Sequence, residues 1–241
     1  MGLKDTASTL WQKIKRLLIV LLVLQFLYIV LLKWINPPIT ITQLGSIVAG
    51  NGLKRDYISL TEMAPNARLA VIAAEDQLFP DHNGFDWKSI EKAMEYNKRK
   101  PNRVRGASTI SQQVAKNVFL WQGRSYIRKG LEVYFTFMIE LIWGKERILE
   151  MYLNVAEMGK GVFGIEAAAQ RYFKKSANKL TQTEAAMIAA SLPNPVKYTV
   201  KPASKYVNKK YPWVIRQMNF LRTDDDVEKL LKTEKGKKSK K

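Results

Sequence analysis

Three short blocks of this chain hold side chains of the kinds that move protons and hold anions. In AAEDQLFPDHNGFDW, residues 73–87, Glu75 and Asp76 stand side by side behind the apolar run ARLAVIAA, and His82 follows seven residues after Glu75. An amphipathic helix ordinarily closes on a cation and a glycine. Two carboxylates there oppose the helix dipole, a locally costly placement that asks for a use. In GASTISQQVAKN, residues 106–117, hydroxyls open a helix whose free N–H groups are able to face an anion. Gln112 and Lys116 fall four apart on it, as do Gln113 and Asn117, so a polar stripe runs where a core stripe would be expected. RSYIRKGLE, residues 124–132, sets Arg128 and Lys129 within one turn of Glu132. Taken singly, each block has a plainer reading. Arg128–Glu132 reads as an i,i+4 surface ion pair worth under ~1 kcal/mol. KERILEMYLN reads as a helix with Ile148, Leu149, Tyr152 and Leu153 facing a core.

Composition limits the chemistry these blocks serve. The 241 residues are 46% hydrophobic, enough for one medium-sized domain with appendages. There is no cysteine, which excludes disulfides, thiolate metal sites and cysteine nucleophiles, and a single histidine argues against His-rich metal sites and a Ser-His-Asp triad. The net charge of +19 favours anionic partners: nucleic acid, acidic lipid headgroups or a phosphorylated substrate.

One segment narrows those partners. From Leu17 to Ile35 the chain reads LLIVLLVLQFLYIVLLKWI, 19 residues interrupted only by Gln25 and Lys33. At ~1.5 Å per residue this spans roughly 28 Å, close to the hydrocarbon core of a bilayer. A signal peptide has a shorter apolar region and a small-residue cleavage site, whereas KWINPP follows here. No polar face appears, which disfavours a buried core helix. Lys4, Lys13, Lys15 and Arg16 precede the span, and after Lys33 the next basic residue is Lys54. The positive-inside rule then places residues 1–16 in the cytoplasm, a transmembrane helix at 17–35 and the body outside. That body keeps 35 basic against 20 acidic residues, about +15, in a compartment without nucleic acid. Its anionic partner is expected on the membrane.

Beyond the span, β-branched residues and turn signals predict an extended lead with a short hairpin over residues 36–60. Helical periodicity follows: PNARLAVIAAEDQLF; DWKSIEKAMEYN capped by Asp86 with Trp87, Ile90 and Met94 on one face; and ISQQVAKNVFL capped by Ser108 or Thr109. SYIRKGLEVYFTFMIELIW closes at Gly144, KERILEMYLNVAEM stops at Gly159, and IEAAAQRYF precedes TQTEAAMIAASL with its Thr181–Glu184 capping box. KRKPNRVRG forms a basic loop between the second and third of these helices. GKGVFG, residues 159–164, matches GxGxxG but follows a helix instead of a strand, so it reads as a helix-to-helix turn. Residues 36–222 form the body, and residues 223–241 read as a disordered lysine-rich tail.

Together the blocks resemble the glycosyltransferase family 51 domain. Its first signature is matched by Glu75, Asp76, Phe79, His82, Gly84 and Asp86, and its second by Gly106, Ser108, Thr109, Gln112, Gln113, Lys116 and Asn117. The third is matched by Arg128, Lys129 and Glu132, and the fourth by Lys145, Ile148, Leu149, Glu150, Tyr152, Leu153 and Asn154. A looser fifth block matches GVFGIEAAAQRYFKK, and order and spacing agree over roughly residues 55–200. Class A penicillin-binding proteins carry the same domain ahead of a transpeptidase. This chain has no KTG box, so it is similar to the form that carries the glycosyltransferase alone.

The resemblance implies a mainly α, lysozyme-like glycosyltransferase domain with one N-terminal transmembrane helix, in the inner (cytoplasmic) membrane with its catalytic domain in the periplasm. It implies lipid II and a growing glycan chain on undecaprenyl pyrophosphate as substrates, and cell-division or elongation proteins as company, with no nucleic acid. A 4-hydroxyl of one lipid II sugar attacks the anomeric carbon of the chain, configuration inverts, and undecaprenyl pyrophosphate leaves. Glu75 matches the family's base and Glu132 its second essential glutamate. Lys116, Arg128 and Lys129 fall to the two phosphates, helped by N–H groups after Ser108. Asp76 and His82 shape the end of the cleft, and KRKPNRVRG matches a mobile segment near the acceptor. Phe79, Gly106, Ser108, Thr109, Gln112, Gln113 and Asn117 complete the expected substrate contacts. No cofactor is certain; Glu132 orients either these cations or a divalent cation such as Mg2+, and the sequence leaves both open. Two rivals stand beside this reading. A peptidoglycan-cleaving hydrolase uses a carboxylic acid on a glycosidic oxygen, a role that cations do not fill. A membrane-tethered scaffold for anionic wall polymers needs charge alone and leaves Glu75, Gln113 and Glu132 without a task.

Overall fold

The computed structural model describes residues 3–101, 106–123 and 125–232, with side chains from residue 10 onward. It divides into a unit of residues 1–37 and a unit of residues 38–241.

The first unit is the helix α1 (Leu3–Leu31). Its stretch Leu10–Leu31, 22 residues, is long and apolar enough to cross a membrane. Leu17 to Leu24 present half or more of their surface, so the apolar run is not a core stripe. The helix starts earlier and ends earlier than the sequence predicts. Over Leu32–Trp34 the N–H groups of Lys33 and Trp34 turn to the carbonyls of Val30 and Leu31, tightening the last turn ahead of Pro37 and Pro38, where the chain cannot stay helical.

The second unit begins with a departure from expectation. Residues 36–60 are not an extended lead: Ile41–Val48 is the helix α2, and only Lys54–Arg55 (β1) is strand. The deciding group is Thr40, whose hydroxyl accepts from Gln43 N–H while Gln43 Oε1 accepts from Thr40 N–H, a complete capping box that outweighs β-branched propensity. This helix buries Thr42, Gln43 and Ser46 and turns Ile41, Leu44, Ile47 and Val48 outward, the reverse of a soluble amphipathic helix.

Two helix layers carry the site. In the first, α3 (Pro65–Glu75) packs against α9 (Gln182–Ser191), α10 (Lys205–Leu221) and α11 (Asp225–Leu231). Ala67 to Ala73 are all buried, and the facing alanines 185, 186 and 189 let these backbones approach closely. In the second, α5 (Ile110–Phe119) packs against α6 (Tyr126–Ile142) and α7 (Lys145–Val155). Phe119 stacks on Phe135 at 4.6 Å there, next to fully buried Ile139 and Ile148. Between α3 and α5 in the chain, α4 (Trp87–Arg99) is capped by Asp86 as expected, but Trp87 and Met94 are exposed and Ala93 is its buried residue, so the predicted apolar face is not a core face.

Helix α7 stops at Val155 instead of Gly159, and GKGVFG is not a simple turn between helices. Residues Glu157–Gly159 (β2) and Val162–Phe163 (β3) form a hairpin that β1 joins in parallel, in the order β1-β3-β2, before α8 (Ile165–Phe173). Gly161 makes this possible: its φ is +66°, and a Cβ would lie 2.1 Å from the Asn51 carbonyl.

The C-terminal region also departs from the tail reading. Asp224 caps α11, Val227 and Leu230 are buried, and the buried Arg68 guanidinium donates to the carbonyls of Leu230 and Leu231, each at 3.0 Å. A folded helix therefore extends to Leu231, and the remainder of the expected tail, residues 233–241, lies outside the described residues. Helix α10 occupies a stretch where the sequence reading assigns no element; Ser204 caps it and Pro212 sits within it.

Candidate active site

Glu75 is the last residue of α3 and Asp76 is its C-cap, so the two carboxylates leave the helix in different directions. Glu75 faces a cleft of about 780 Å³ also lined by Asp76, Asp86, Lys92, Ser108 and Gln113. Gly106 and Thr109 complete the expected residues on this lining. Gln113 Nε2 donates to Glu75 Oε2 at 2.7 Å, and Gln113 Oε1 accepts from the Tyr152 hydroxyl at 3.2 Å. Burial raises the Glu75 pKa above the usual carboxylate value and adjacent Asp76 raises it further; the Gln113 bond, Lys210 and Lys116 pull it back. Burial also lifts the Tyr152 hydroxyl well above its ordinary pKa, which keeps it a donor to Gln113.

Asp76 has another use. It is buried, and its Oδ2 accepts from the Ile110 N–H at 2.9 Å, at the start of α5. His82 Nε2 lies 3.0 Å from Asp76 Oδ1, and His82 Nδ1 accepts from the Gly84 N–H at 3.1 Å. This pattern assigns the ring proton to Nε2, donated to Asp76. The pair thus ties the 76–84 loop to the second helix layer. The positive end of α5 compensates the Asp76 carboxylate, removing the cost that its place beyond α3 would carry.

That loop is fastened from below. Lys145 Nζ donates to the His82 carbonyl and to Glu140 Oε1, the latter at 2.7 Å, and lies 4.7 Å over the Phe79 ring. Thr109 Oγ1 donates to the Gly84 carbonyl at 2.7 Å. Gly84 has φ +86°, and a Cβ there would stand 2.7 Å from Thr136 Cγ2. Phe79 is wholly buried, so it supports His82 and does not line the cleft. Gln112 is buried as well, its Oε1 accepting from Thr109 N–H in a capping box. Both side chains are thus already engaged inside the fold, Phe79 against His82 and Gln112 in the α5 cap.

A second centre forms on α6. Arg128 Nη1 donates to Glu132 Oε2 at 2.6 Å and Lys129 Nζ to Glu132 Oε1. Glu132 is buried and Arg128 nearly so, which overturns the surface-pair reading. Arg128 Nε is buried with no hydrogen-bond partner among the described residues, a donor left open beside Lys116 and Lys129. Lys116 joins the two centres. Burial lowers its pKa; Glu132 and Glu75 pull it back up, while Arg128 and Lys129 depress it further. It stands one turn after Gln113 on α5. Asn117, behind it, is buried.

The donor set does not fit a metal held by the protein alone. Among the described residues no group of three His, Asp or Glu side chains is placed around a common point, and both Glu132 oxygens are engaged by cations. Of the expected basic loop 98–106, Lys98 and Arg99 belong instead to the last turn of α4, and residues 102–105 lie outside the described residues.

Sequence reasoning missed three contributors. Tyr152 read as a core residue and Lys145 only as a match in the fourth block; their polar ends find partners only across the fold. Lys210 belongs to no block, yet its charge acts on Glu75 from α10, where its Nζ lies 3.3 Å over the Trp213 ring. The rest of the fourth block fastens residues 58–60: Asn154 Oδ1 accepts from Ile58 N–H and Glu150 Oε2 from Leu60 N–H.

Residues 41–219 match the family model described as Transglycosylase. A biosynthetic peptidoglycan transglycosylase of Mannheimia succiniciproducens is 61% identical over 166 residues, covering 69% of this chain and 68% of the relative. Proteins of the same description from Shigella boydii and Escherichia coli are each 60% identical over 163 residues, covering 68% of this chain and 67% of theirs.

Proposed function

From the premise that this chain belongs to the transglycosylase family and is a peptidoglycan glycosyltransferase, we propose that it polymerises lipid II, with Glu75 as base and Lys116, Arg128 and Lys129 as the diphosphate cradle. The observation carrying this is one helix joining two unlike centres. On α5, Gln113 holds a carboxylate at the cleft, and Lys116, one turn on, is within electrostatic reach of Arg128, Lys129 and the buried Glu132. A sugar hydroxyl is a poor nucleophile, and a positioned carboxylate of raised pKa contributes ~10²–10⁴ in rate by taking its proton. The 4-hydroxyl attacks the anomeric carbon from the cleft side as its proton passes to Glu75. The bond to the diphosphate oxygen breaks with inversion, and the departing anion needs positive charge, not an acid. Glu132 orients Arg128 and Lys129 for that anion, and the open Arg128 Nε is a donor suited to a phosphate oxygen.

Membrane anchoring through α1 agrees with where such substrates reside. The basic residues ahead of the apolar stretch support an N-terminus in the cytoplasm and a periplasmic body. Outward apolar faces add to this: Val48 on α2 is 81% exposed, and Phe137 and Leu141 on α6 are 59% and 70% exposed. A lipid surface accommodates such faces and would hold the cleft near the headgroups.

The test is polymerisation of lipid II by the full chain in detergent. Wild type should yield glycan strands and Glu75→Gln none, with folding intact by circular dichroism. An active Glu75→Gln variant removes the base assignment, and digestion of finished peptidoglycan without use of lipid II would replace the transferase reading by a hydrolase.

A further inference from the structure

Outside the cleft, a second concave pocket of about 360 Å³ is lined by Lys160, Arg171, Lys174 and Lys201 around Tyr172. Four cations on one small pocket repel one another, and net charge alone does not require them to converge. Their neighbour Lys175 is neutralised by Glu184 at 2.7 Å, whereas among the described residues Lys160, Lys174 and Lys201 have no carboxylate partner. The nearby Glu157 is engaged elsewhere, accepting from the Gly161 N–H at 3.0 Å. Lys201 lies 5.1 Å over the Phe173 ring, and Arg171 stands beside the Tyr172 hydroxyl.

The backbone supplies an independent sign. Lys174, at the C-cap of α8, has φ 57° and ψ 36°, the single non-glycine residue with positive φ among the described residues. That position ordinarily holds glycine or asparagine, because a Cβ there is strained. A lysine kept in such a conformation on a pocket wall points to a ligand for its ammonium group.

The pocket adjoins the cleft. Pro193 lines the cleft, and Pro195 and Val196 line the basic pocket. Two residues span at most about 7 Å, so the two rims lie within the reach of a short peptide. Peptidoglycan carries peptide on its glycan, and a linear peptide ends in a carboxylate. Arginine and lysine around apolar Pro195 and Val196 suit a carboxylate with small side chains behind it.

We propose that this pocket binds the carboxylate-terminated peptide of the glycan held in the cleft, an inference that rests on the peptidoglycan reading of that cleft. Fluorescence anisotropy of the full chain in detergent tests it. The probe is an N-terminally labelled tetrapeptide with one glutamate and a free C-terminal carboxylate. Wild type should bind it, and the C-terminal amide should bind at least tenfold more weakly. The combined variant Lys160→Ala, Lys174→Gly, Lys201→Ala should lose tenfold or more. Lys174→Gly alone relieves the left-handed strain, so its lost affinity at undiminished thermal stability would not be unfolding. Equal binding of the amide, unchanged affinity in the combined variant, or displacement of the peptide by equimolar inorganic phosphate would overturn the proposal. Glu75→Gln should keep peptide binding while losing polymerisation. A wild-type chain that binds the peptide but makes no glycan would sink the reading of the cleft alone.

Discussion

Gln113 donates to Glu75 across 2.7 Å from a different helix layer, with its other amide atom held by Tyr152 at 3.2 Å. The bond favours the ionised carboxylate while burial favours the protonated one. The Glu75 carboxylate thus sits in a desolvated place under two opposed influences.

The first prediction concerns pH. Because burial raises the Glu75 pKa, the acid limb of kcat/KM should fall at a pH above the ordinary carboxylate value of 4.5. Removing the Gln113 bond leaves burial and Asp76 to act with less opposition. In Gln113→Ala the limb should move upward by roughly one unit, given ~1.5–3 kcal/mol for a hydrogen bond to a charged group and partial solvent replacement. A limb that stays in place would mean that Gln113 does not tune this carboxylate.

A second prediction follows from the same shift through linkage. A carboxylate whose folded pKa is raised stabilises the folded state most below its unfolded pKa, and that advantage is lost as pH rises through the folded pKa. Glu75→Gln should therefore be as stable as wild type or more so at pH 7, with the gain shrinking as pH falls toward 4. Thermal melts at both pH values would check this; a variant markedly less stable at pH 7 would contradict it.

Glu132 gives a third. Its removal leaves the nearly buried Arg128 guanidinium beside Lys116 without compensation. Glu132→Ala should lose about 3–5 kcal/mol in urea unfolding, far beyond a surface pair. Titration of Mg2+ into the substrate-free protein should give no binding heat that Glu132→Gln abolishes, since both carboxylate oxygens are occupied by cations.

The fourth prediction concerns the C-terminal helix. Arg68 is buried, and its guanidinium donates to Leu230 and Leu231 carbonyls as well as to that of Met63. Ending the chain after Thr223 strips α11 from α3 and leaves that charge short of acceptors, a loss of at least about 2 kcal/mol. Equal urea midpoints for the truncated and full chains would make the residues after Thr223 the dispensable tail that their composition suggests.

The sequence by itself determined the helices that carry their own caps and the apolar stretch near the N-terminus. Asp86 before α4, the Thr109–Gln112 start of α5 and the Thr181–Glu184 box of α9 are local interactions, three residues apart, and need no distant partner. The site blocks were legible as blocks for the same reason. What the chain decided only on folding is how distant groups spend their polarity. Asp76 read as a carboxylate shaping the end of the cleft until packing brought the Ile110 N–H to its Oδ2. The Arg128–Glu132 pair looked like a surface bond until α5 covered it, and residues 225–231 looked like loose tail until Arg68 met their carbonyls. A side chain's charge and hydrogen-bonding capacity are written in its residue type. Its dielectric surroundings and its partners belong to residues far away in the chain, and tertiary packing alone brings those near.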